Sequence, residues 1–388
     1  MNVSTILCIN SGSSSVKFSI YSPTSSGESR AIRGEVERIG LPGGVLILDD
    51  GRRHESIGEF SDHHRALEAV FARLSRAGYD KFDAVGHRVA SGGPKYRQPI
   101  RIDADFVTDL HALIRSAPLH LPVEIACIEA SARLFPSIPQ VACFDTSFHR
   151  TIPEVASRLP LPRNLWHEGV KKYGFHGLSY EYIVEDLQGA SGRTVIAHLG
   201  NGASMVAVRD GISIDTTMSF TPTAGLIMGT RCGDLDPGVV MYLMNEKRYD
   251  AAQLERLLDH LSGLLGISGI SSDMQTLLDQ RDAEPHAALA IEMFCYSARK
   301  HLAAMVAALG GIDTLVFTGG IGENAPAIRS EICSQLRYLG IEIDKDANDR
   351  GDRVIGLPGR SVRVMVIPTD EDRMIARHTR RLLFSPGL

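Results

Sequence analysis

Arg231 lies in the segment FTPTAGLIMGTRCGDLDPG, Phe220 to Gly238, between a Pro-containing apolar stretch and two aspartates. Glycines let a backbone approach where side chains would block it, so such a loop can set a rigid guanidinium fork beside a small anion and a metal. A second arginine, Arg88, stands in GHRVASGG. Two guanidinium groups aimed at one transferring phosphoryl group would mark a kinase.

Phosphate would also need a cradle. Two tight turns, Asn10-Ser11-Gly12-Ser13-Ser14-Ser15 and Gly200-Asn201-Gly202-Ala203-Ser204, are built from small residues whose backbone N–H groups form anion-binding concavities, and Lys17 adds a point charge just past the first. Either turn alone reads equally well as an ordinary β-hairpin; the occurrence of two favours phosphate. Thr318-Gly319-Gly320-Ile321-Gly322-Glu323-Asn324-Ala325 falls between a strand and a helix, where a glycine-lined backbone can approach a nucleobase or ribose. The alternative there is a glycine turn capping a helix. The segment lacks GxGxxG spacing and the chain has no GxxxxGK[ST], which demotes dinucleotide and P-loop readings.

Asp145, in CFDTSFHRTIP, ends an apolar strand, a position from which a carboxylate can reach a ligand crevice and hold Mg²⁺; its rival role is a turn or helix cap. Glu371, in VIPTDEDRMIARHT, is similar, with a first-turn acid favoured by the helix dipole as the rival. His176, between glycines in KKYGFHGLS, can donate to a phosphoryl oxygen, whereas His120 in APLHLP reads locally as a packed loop residue. No Ser/His/Asp order and no HExxH appears, so hydrolase and metalloprotease chemistry find no support.

The elements that must position these residues alternate between strand and helix, which predicts an α/β fold. Strands are expected at Thr5–Asn10, Ser15–Tyr21, Ala84–Val89, Gln140–Phe144, Thr194–Leu199, Ser204–Arg209, Thr314–Thr318 and Val362–Ile367. Helices are expected at His63–Ala77, Val123–Phe135, Tyr180–Leu187, Gly238–Asn245, Ala252–Leu258, Ala287–Leu309 and Ala325–Leu339. A strand, Gly/Ser turn, strand arrangement occurs twice, in ILCINSGSSSVKFSIY and VIAHLGNGASMVAVRDG, and each half later has a strand ending in a double glycine, AVGHRVASGG and LVFTGGIGENA. A chain of 388 residues suits two domains, and the Pro-rich stretch Thr151 to Asn164 is the best boundary between them.

Net charge is −5, which suggests neither a nucleic-acid surface nor a membrane patch. Six scattered cysteines show no zinc spacing and read as thiols of a reducing cytoplasm. The N-terminus lacks signal-peptide features, and the longest apolar region, Ala287 to Leu309, is broken by charges; a cytoplasmic protein without a membrane span is expected.

Taken in order, NSGSSSVKF, GHRVASGG, SAPLH, FDTSFH, KKYGFHG, HLGNGAS, FTPTAGLIMGTRCGDLDPG, GISGISSD, GGIGENA and IPTDED resemble the acetate and butyrate kinase family of the acetate and sugar kinase, heat-shock chaperone and actin superfamily. The likeness covers nearly the whole chain. It implies two ribonuclease-H-like domains with a duplicated βββαβαβα core and an interdomain nucleotide cleft, the first comprising residues 1–150 with 373–388 and the second 151–372. It implies a homodimer, with Mg²⁺ or Mn²⁺ supporting reversible transfer of the ATP γ-phosphoryl group to acetate or another short carboxylate, giving ADP and acetyl phosphate.

Carried over by motif, Asn10, Ser13, Ser15 and Lys17 look like one phosphate site, and His198, Gly200, Asn201 and Gly202 like the other. Asp273, Gly319, Gly320, Ile321, Gly322 and Asn324 match the adenosine side. Arg88, Asp145, His176 and Arg231 match catalytic positions, with His120 as an active-site neighbour, and Asn10, Asp145 and Glu371 match positions associated with the metal. Ala90, Leu119, Phe175 and Pro222 fall where the family lines its acyl pocket beside Arg88. The chain departs from the family in places: HRVVHGG reads HRVASGG, FHGTSH reads FHGLSY, APLHNP reads APLHLP, and Gln275 replaces an arginine two residues after Asp273. Ala90 in place of valine bears on acyl length, making propionate or butyrate an alternative acceptor, and Gln275 bears on nucleotide preference. A carboxylate needs no general base, so direct in-line transfer is expected. The alternative from another class is a nucleotide-driven binding module like the chaperone and actin members, which has no need of an arginine pair beside an apolar pocket.

Overall fold

The structure is a computed structural model and describes residues 4–12, 14–24, 27–114, 120–189 and 192–384. The chain divides into two compact units, Met1–Ser147 with Asp370–Leu388, and Phe148–Thr369.

The first unit is built on strands β1 (Ile6–Gly12), β2 (Ser15–Thr24), β3 (Gly27–Glu37), β4 (Gly44–Asp49), β5 (Arg53–Gly58), β6 (Ala84–Val89), β7 (Ile100–Arg101) and β8 (Gln140–Phe144), in sheet order β5-β4-β3-β2-β1-β6-β8-β7. β1 runs parallel to β6 and β6 to β8, whereas β1 pairs antiparallel with β2, and β2 with β3. The parallel centre is covered on both faces, so β8 is buried at every residue, as parallel strands require. At the other edge β5, RHESIG, is almost wholly exposed and charged, which discourages further strand pairing. Helix His63–Arg76, capped by Asp62, and helix Leu121–Leu134 pack their apolar faces on this sheet, their Leu67, Val70, Leu74 and Cys127 joining Leu7, Ile9 and Val85 in one core. Gly86 is required by the approach of helix Glu371–Phe384, because a Cβ there would lie 2.5 Å from Ile375 Cγ2 and Thr379 Oγ1.

The second unit contains β9 (Arg193–Leu199), β10 (Ala203–Arg209), β11 (Ile212–Thr216), β12 (Thr314–Thr318) and β13 (Arg363–Val366), in order β11-β10-β9-β12-β13. β9 is antiparallel to β10 and parallel to β12, which is parallel to β13. This is the arrangement of β3-β2-β1-β6-β8, so the repeat read from the sequence is a repeat of topology, and the α/β class with two like sheets is borne out. The 25-residue helix Pro285–Leu309 supplies much of this core through Phe294, Leu302 and Val306. Among the described residues no helix is long and apolar enough to cross a membrane.

The expected single helix Ala325–Leu339 is instead a helix Pro326–Cys333 and a short 3₁₀ turn Arg337–Leu339. Arg299 donates to the carbonyls of Glu331 and Ile332, taking acceptors that a continuing helix would have used. The strands β3, β4, β5, β7 and β11 lie outside the expected set; in β3 and β5 a charge-rich sequence hides the alternation.

Candidate active site

In the first unit the β6 strand ends by presenting Arg88, whose Nε donates to Asp145 Oδ2 at 3.0 Å, with Nη2 on the same oxygen. Asp145, just past β8, is fully buried. Glu124, in the first turn of helix Leu121–Leu134, is also buried and accepts the Ala90 N–H with both carboxylate oxygens, at 3.0 Å each. Burial works against the charge of Arg88, but Asp145, Glu371 and Glu124 more than offset it and raise its pKa. Burial pushes Glu124 up to about 7 against the pull of Arg88.

Beside this cluster, β1 and β2 set Asn10 opposite exposed Lys17. Asn10 Nδ2 donates to Glu371 Oε2 at 3.2 Å. The flanking acids are tied separately, Asp370 to the Tyr21 hydroxyl at 2.7 Å and Asp372 to the Ser19 hydroxyl at 2.8 Å. Gly12 belongs to the β1–β2 turn, and its carbonyl is hydrogen-bonded to His63 Nε2 at 2.9 Å; Ser15 opens β2. His120 is the residue before helix Leu121–Leu134, and Ala90 is buried. Ser13 and Leu119 lie outside the described residues.

In the second unit the sequence-predicted residues converge. His176 has φ 59°, a left-handed conformation uncommon outside glycine, and stands just before helix Gly177–Asp186. Its Nδ1 is hydrogen-bonded to Ser204 Oγ at 2.8 Å, and Ser204 is also bonded to the Tyr180 hydroxyl. The His176 ring stacks on His198 at 4.3 Å, and His198 Nδ1 is held by Ser179 Oγ at 2.8 Å. A Cβ at Gly202 would meet His176 Nε2 at 3.4 Å and Arg231 Nη1 at 3.6 Å, so ring, guanidinium and turn surround one point. Arg231 Nη1 donates to the carbonyl of Pro222 at 3.3 Å.

The Arg231 loop is fastened to the turn. Gly229 N–H donates to Asn201 O at 2.9 Å, and a Cβ at Gly229 would overlap Asn201 Oδ1 at 1.8 Å. From the other side, a Cβ at Gly200 would lie 3.8 Å from the Gly320 nitrogen and 4.0 Å from His198 Nε2. Gly319, Gly320, Ile321, Gly322 and Asn324 belong to the short helix Gly319–Asn324 after β12, with Asn324 Nδ2 donating to Gly320 O at 2.9 Å. Asp273 is exposed and caps helix Met274–Gln280 through Thr276, so its carboxylate serves the cap role. Phe175 is 3% exposed within the core, and its carbonyl is hydrogen-bonded to His149 Nε2 at 3.0 Å.

Sequence reasoning missed Glu124 and Tyr180, and gave Ser204 only as part of the Gly200 turn. Glu124 had a signal, a carboxylate one residue from the apolar Ile125 and Ile128 face of a helix. The partners of His176 had none, because the contact joins a helix to a strand 28 residues away.

Oxygen donors suited to Mg²⁺ are present at Asn10 and Glu371, a sparse set of the kind that leaves room for water and phosphate. Asp145 fits less well as a direct ligand, since Arg88 takes its Oδ2 twice. Among the described residues no cluster of three or more His, Cys, Asp or Glu is placed to hold a metal.

The profile of the Acetokinase family matches residues 5–377. An acetate kinase of Rhodopseudomonas palustris is 47% identical over 393 residues, covering 97% of this chain and 98% of the relative. The crystal structure of a propionate kinase from Francisella tularensis superposes with a TM-score of 0.91 at 36% identity, covering 97% of this chain and 98% of that one. That of Porphyromonas gingivalis acetate kinase gives 0.86 at 38% identity, covering 98% and 100%.

Proposed function

Because the chain belongs to the acetokinase family and is a kinase of the acetate kinase type, we propose that it transfers the terminal phosphoryl group of ATP directly and reversibly to acetate, giving acetyl phosphate and ADP. The observation that carries this reading is the convergence of Arg231, His176 and the Gly202 turn on one point in the second unit. A guanidinium and an imidazole donor beside a glycine turn suit the equatorial oxygens of a phosphoryl group in flight. Ser204 holds Nδ1 of His176, which leaves Nε2 to face that point. In the first unit Arg88, fixed by Asp145, orients the acceptor carboxylate, which attacks in line without a base. Gly319, Gly320 and Ile321 receive the adenosine, and Lys17, Asn10 and Asn201 the phosphates.

Magnesium bound through Asn10 and Glu371 would neutralise phosphate charge. All six cysteines are free thiols, which suits work in the cytoplasm. A homodimer is supported by helix Pro237–Asn245, which buries none of its residues and exposes Val239, Met241, Tyr242 and Met244.

A second reading, propionate as acceptor, draws on Ala90 and on the propionate kinase likeness. Trapping the acyl phosphate with hydroxylamine in the presence of acetate, propionate or butyrate separates them. The expected outcome is hydroxamate with acetate and propionate and little with butyrate. ATP turnover with no hydroxamate from any acid would replace the kinase reading with a nucleotide-driven binding module.

A further inference from the structure

The motif GGIGENA contains one acidic residue, Glu323, that the proposed chemistry does not use. A single carboxylate oxygen, Oε1, accepts the Gly319 N–H at 2.8 Å, the Thr369 N–H at 3.1 Å and the Thr318 hydroxyl at 3.4 Å. Gly319 has φ 78°, and a Cβ there would sit 2.8 Å from the Leu199 carbonyl, so this turn is both left-handed and pressed against the end of β9. The other end of the short helix is held as firmly. The carbonyls of Gly322 and Glu323 accept from Nη1 of Arg329 at 2.9 Å each, and Arg329 is fully buried and anchored on Asn348.

Thr369 is the last residue of the second unit, and the chain continues directly into Asp370, Glu371 and Asp372. One side chain therefore binds both the Gly319 turn and the peptide that leads to Glu371. Charge-assisted hydrogen bonds to backbone N–H groups are short and strong, and a buried donor left without its acceptor is costly.

We propose that Glu323 is a positioning residue of the nucleotide site, locking the Gly319–Gly320 turn in its receiving shape by tying it to the Thr369 peptide. This rests on the kinase reading above, in which the Gly319–Asn324 segment receives adenosine. Glu323 itself touches neither phosphate nor acceptor in this role.

Glu323→Ala and Glu323→Gln in the full chain test it, with ADP affinity measured by calorimetry, KM for ATP and for acetate measured separately, and hydrogen exchange followed at the Thr369 amide. Glu323→Ala is expected to raise the ADP Kd and the ATP KM by about tenfold, to leave the acetate KM within about twofold, and to speed exchange at Thr369. Glu323→Gln keeps an acceptor oxygen and is expected to recover most of the ADP affinity and Thr369 protection. Wild-type ADP affinity in Glu323→Ala overturns the proposal. So does an equal loss in both variants with the acetate KM rising in step, which would mark general loosening. Failure of the wild-type chain to bind ADP would remove the kinase reading instead.

Discussion

The two units share one five-strand order, yet one pair of equivalent strand ends, β6 and β12, carries opposite kinds of group. In the first, the fourth strand of the order, β6, ends in the charged Arg88, and its neighbour β8 leads into buried Asp145. In the second, the matching strand β12 ends in Thr318-Gly319-Gly320, and β9 leads into Gly200-Asn201-Gly202. At that pair one unit offers an ionised side chain and the other offers bare backbone, whereas β1 and β9 both lead into small-residue turns. The shared topology supplies positions; the residue at each strand end decides the chemistry.

The two arginines sharpen the contrast. Arg88 is paired with a fully buried carboxylate. Arg231→Ala is expected to lower kcat by ~10³–10⁵. Arg88→Ala is also expected to lose turnover, and in addition to cost about 3–5 kcal/mol of stability, because it breaks a buried ion pair with Asp145. A wild-type urea midpoint in Arg88→Ala would show that this pair does not hold the fold.

A smaller effect separates the units by pH. Glu124 in the first unit has its folded pKa raised from 4.5 to about 7 by burial. The folded state therefore holds that proton more tightly than the unfolded chain, and the stability it contributes is full below about pH 4.5 and lost as pH rises through about 7. His149 in the second unit is lowered to about 4 by burial, so its contribution is present above its ordinary 6.5 and lost as pH falls through about 4. In denaturant titrations across pH, Glu124→Gln is expected to flatten the decline between about 4.5 and 7 while leaving the acid limb in place. An unaltered decline would show that Glu124 is not its source; Asp372, raised to about 6, would be the next candidate.

The smallest predicted change concerns the acceptor. Ala90→Val restores two methyl groups and is expected to lower the propionate-to-acetate ratio of kcat/KM by about 1–3 kcal/mol of discrimination. An unchanged ratio would take Ala90 out of the acyl pocket.

Much of this was legible in the sequence because local pattern and local geometry agree. Ala84–Val89, Gln140–Phe144 and Thr314–Thr318 are β-branched or apolar runs bounded by Gly, Pro or Asp, and the structure forms them at those limits. The first-unit edge strands were not legible, since RHESIG carries its charge on a strand whose stability comes from β4 beside it. In the site, glycine turns announce themselves, whereas the hydrogen bonds that orient His176 or satisfy Glu124 join residues distant in the chain. Phe175 shows the converse, a residue with a motif position whose side chain is part of the packed interior.

The C-terminal helix Glu371–Phe384 packs on β1, β6 and β8, with Ile375 and Thr379 filling the space that Gly86 leaves open. The first unit is consequently built from two stretches of chain that the whole of the second unit separates. During synthesis its opening 147 residues emerge long before the helix that closes them, whereas residues 148–369 form a continuous stretch. A nascent chain halted at Thr369 would hold a finished second sheet and a first sheet with the Gly86 face still wet, ready to attract chaperones until translation delivers its last helix.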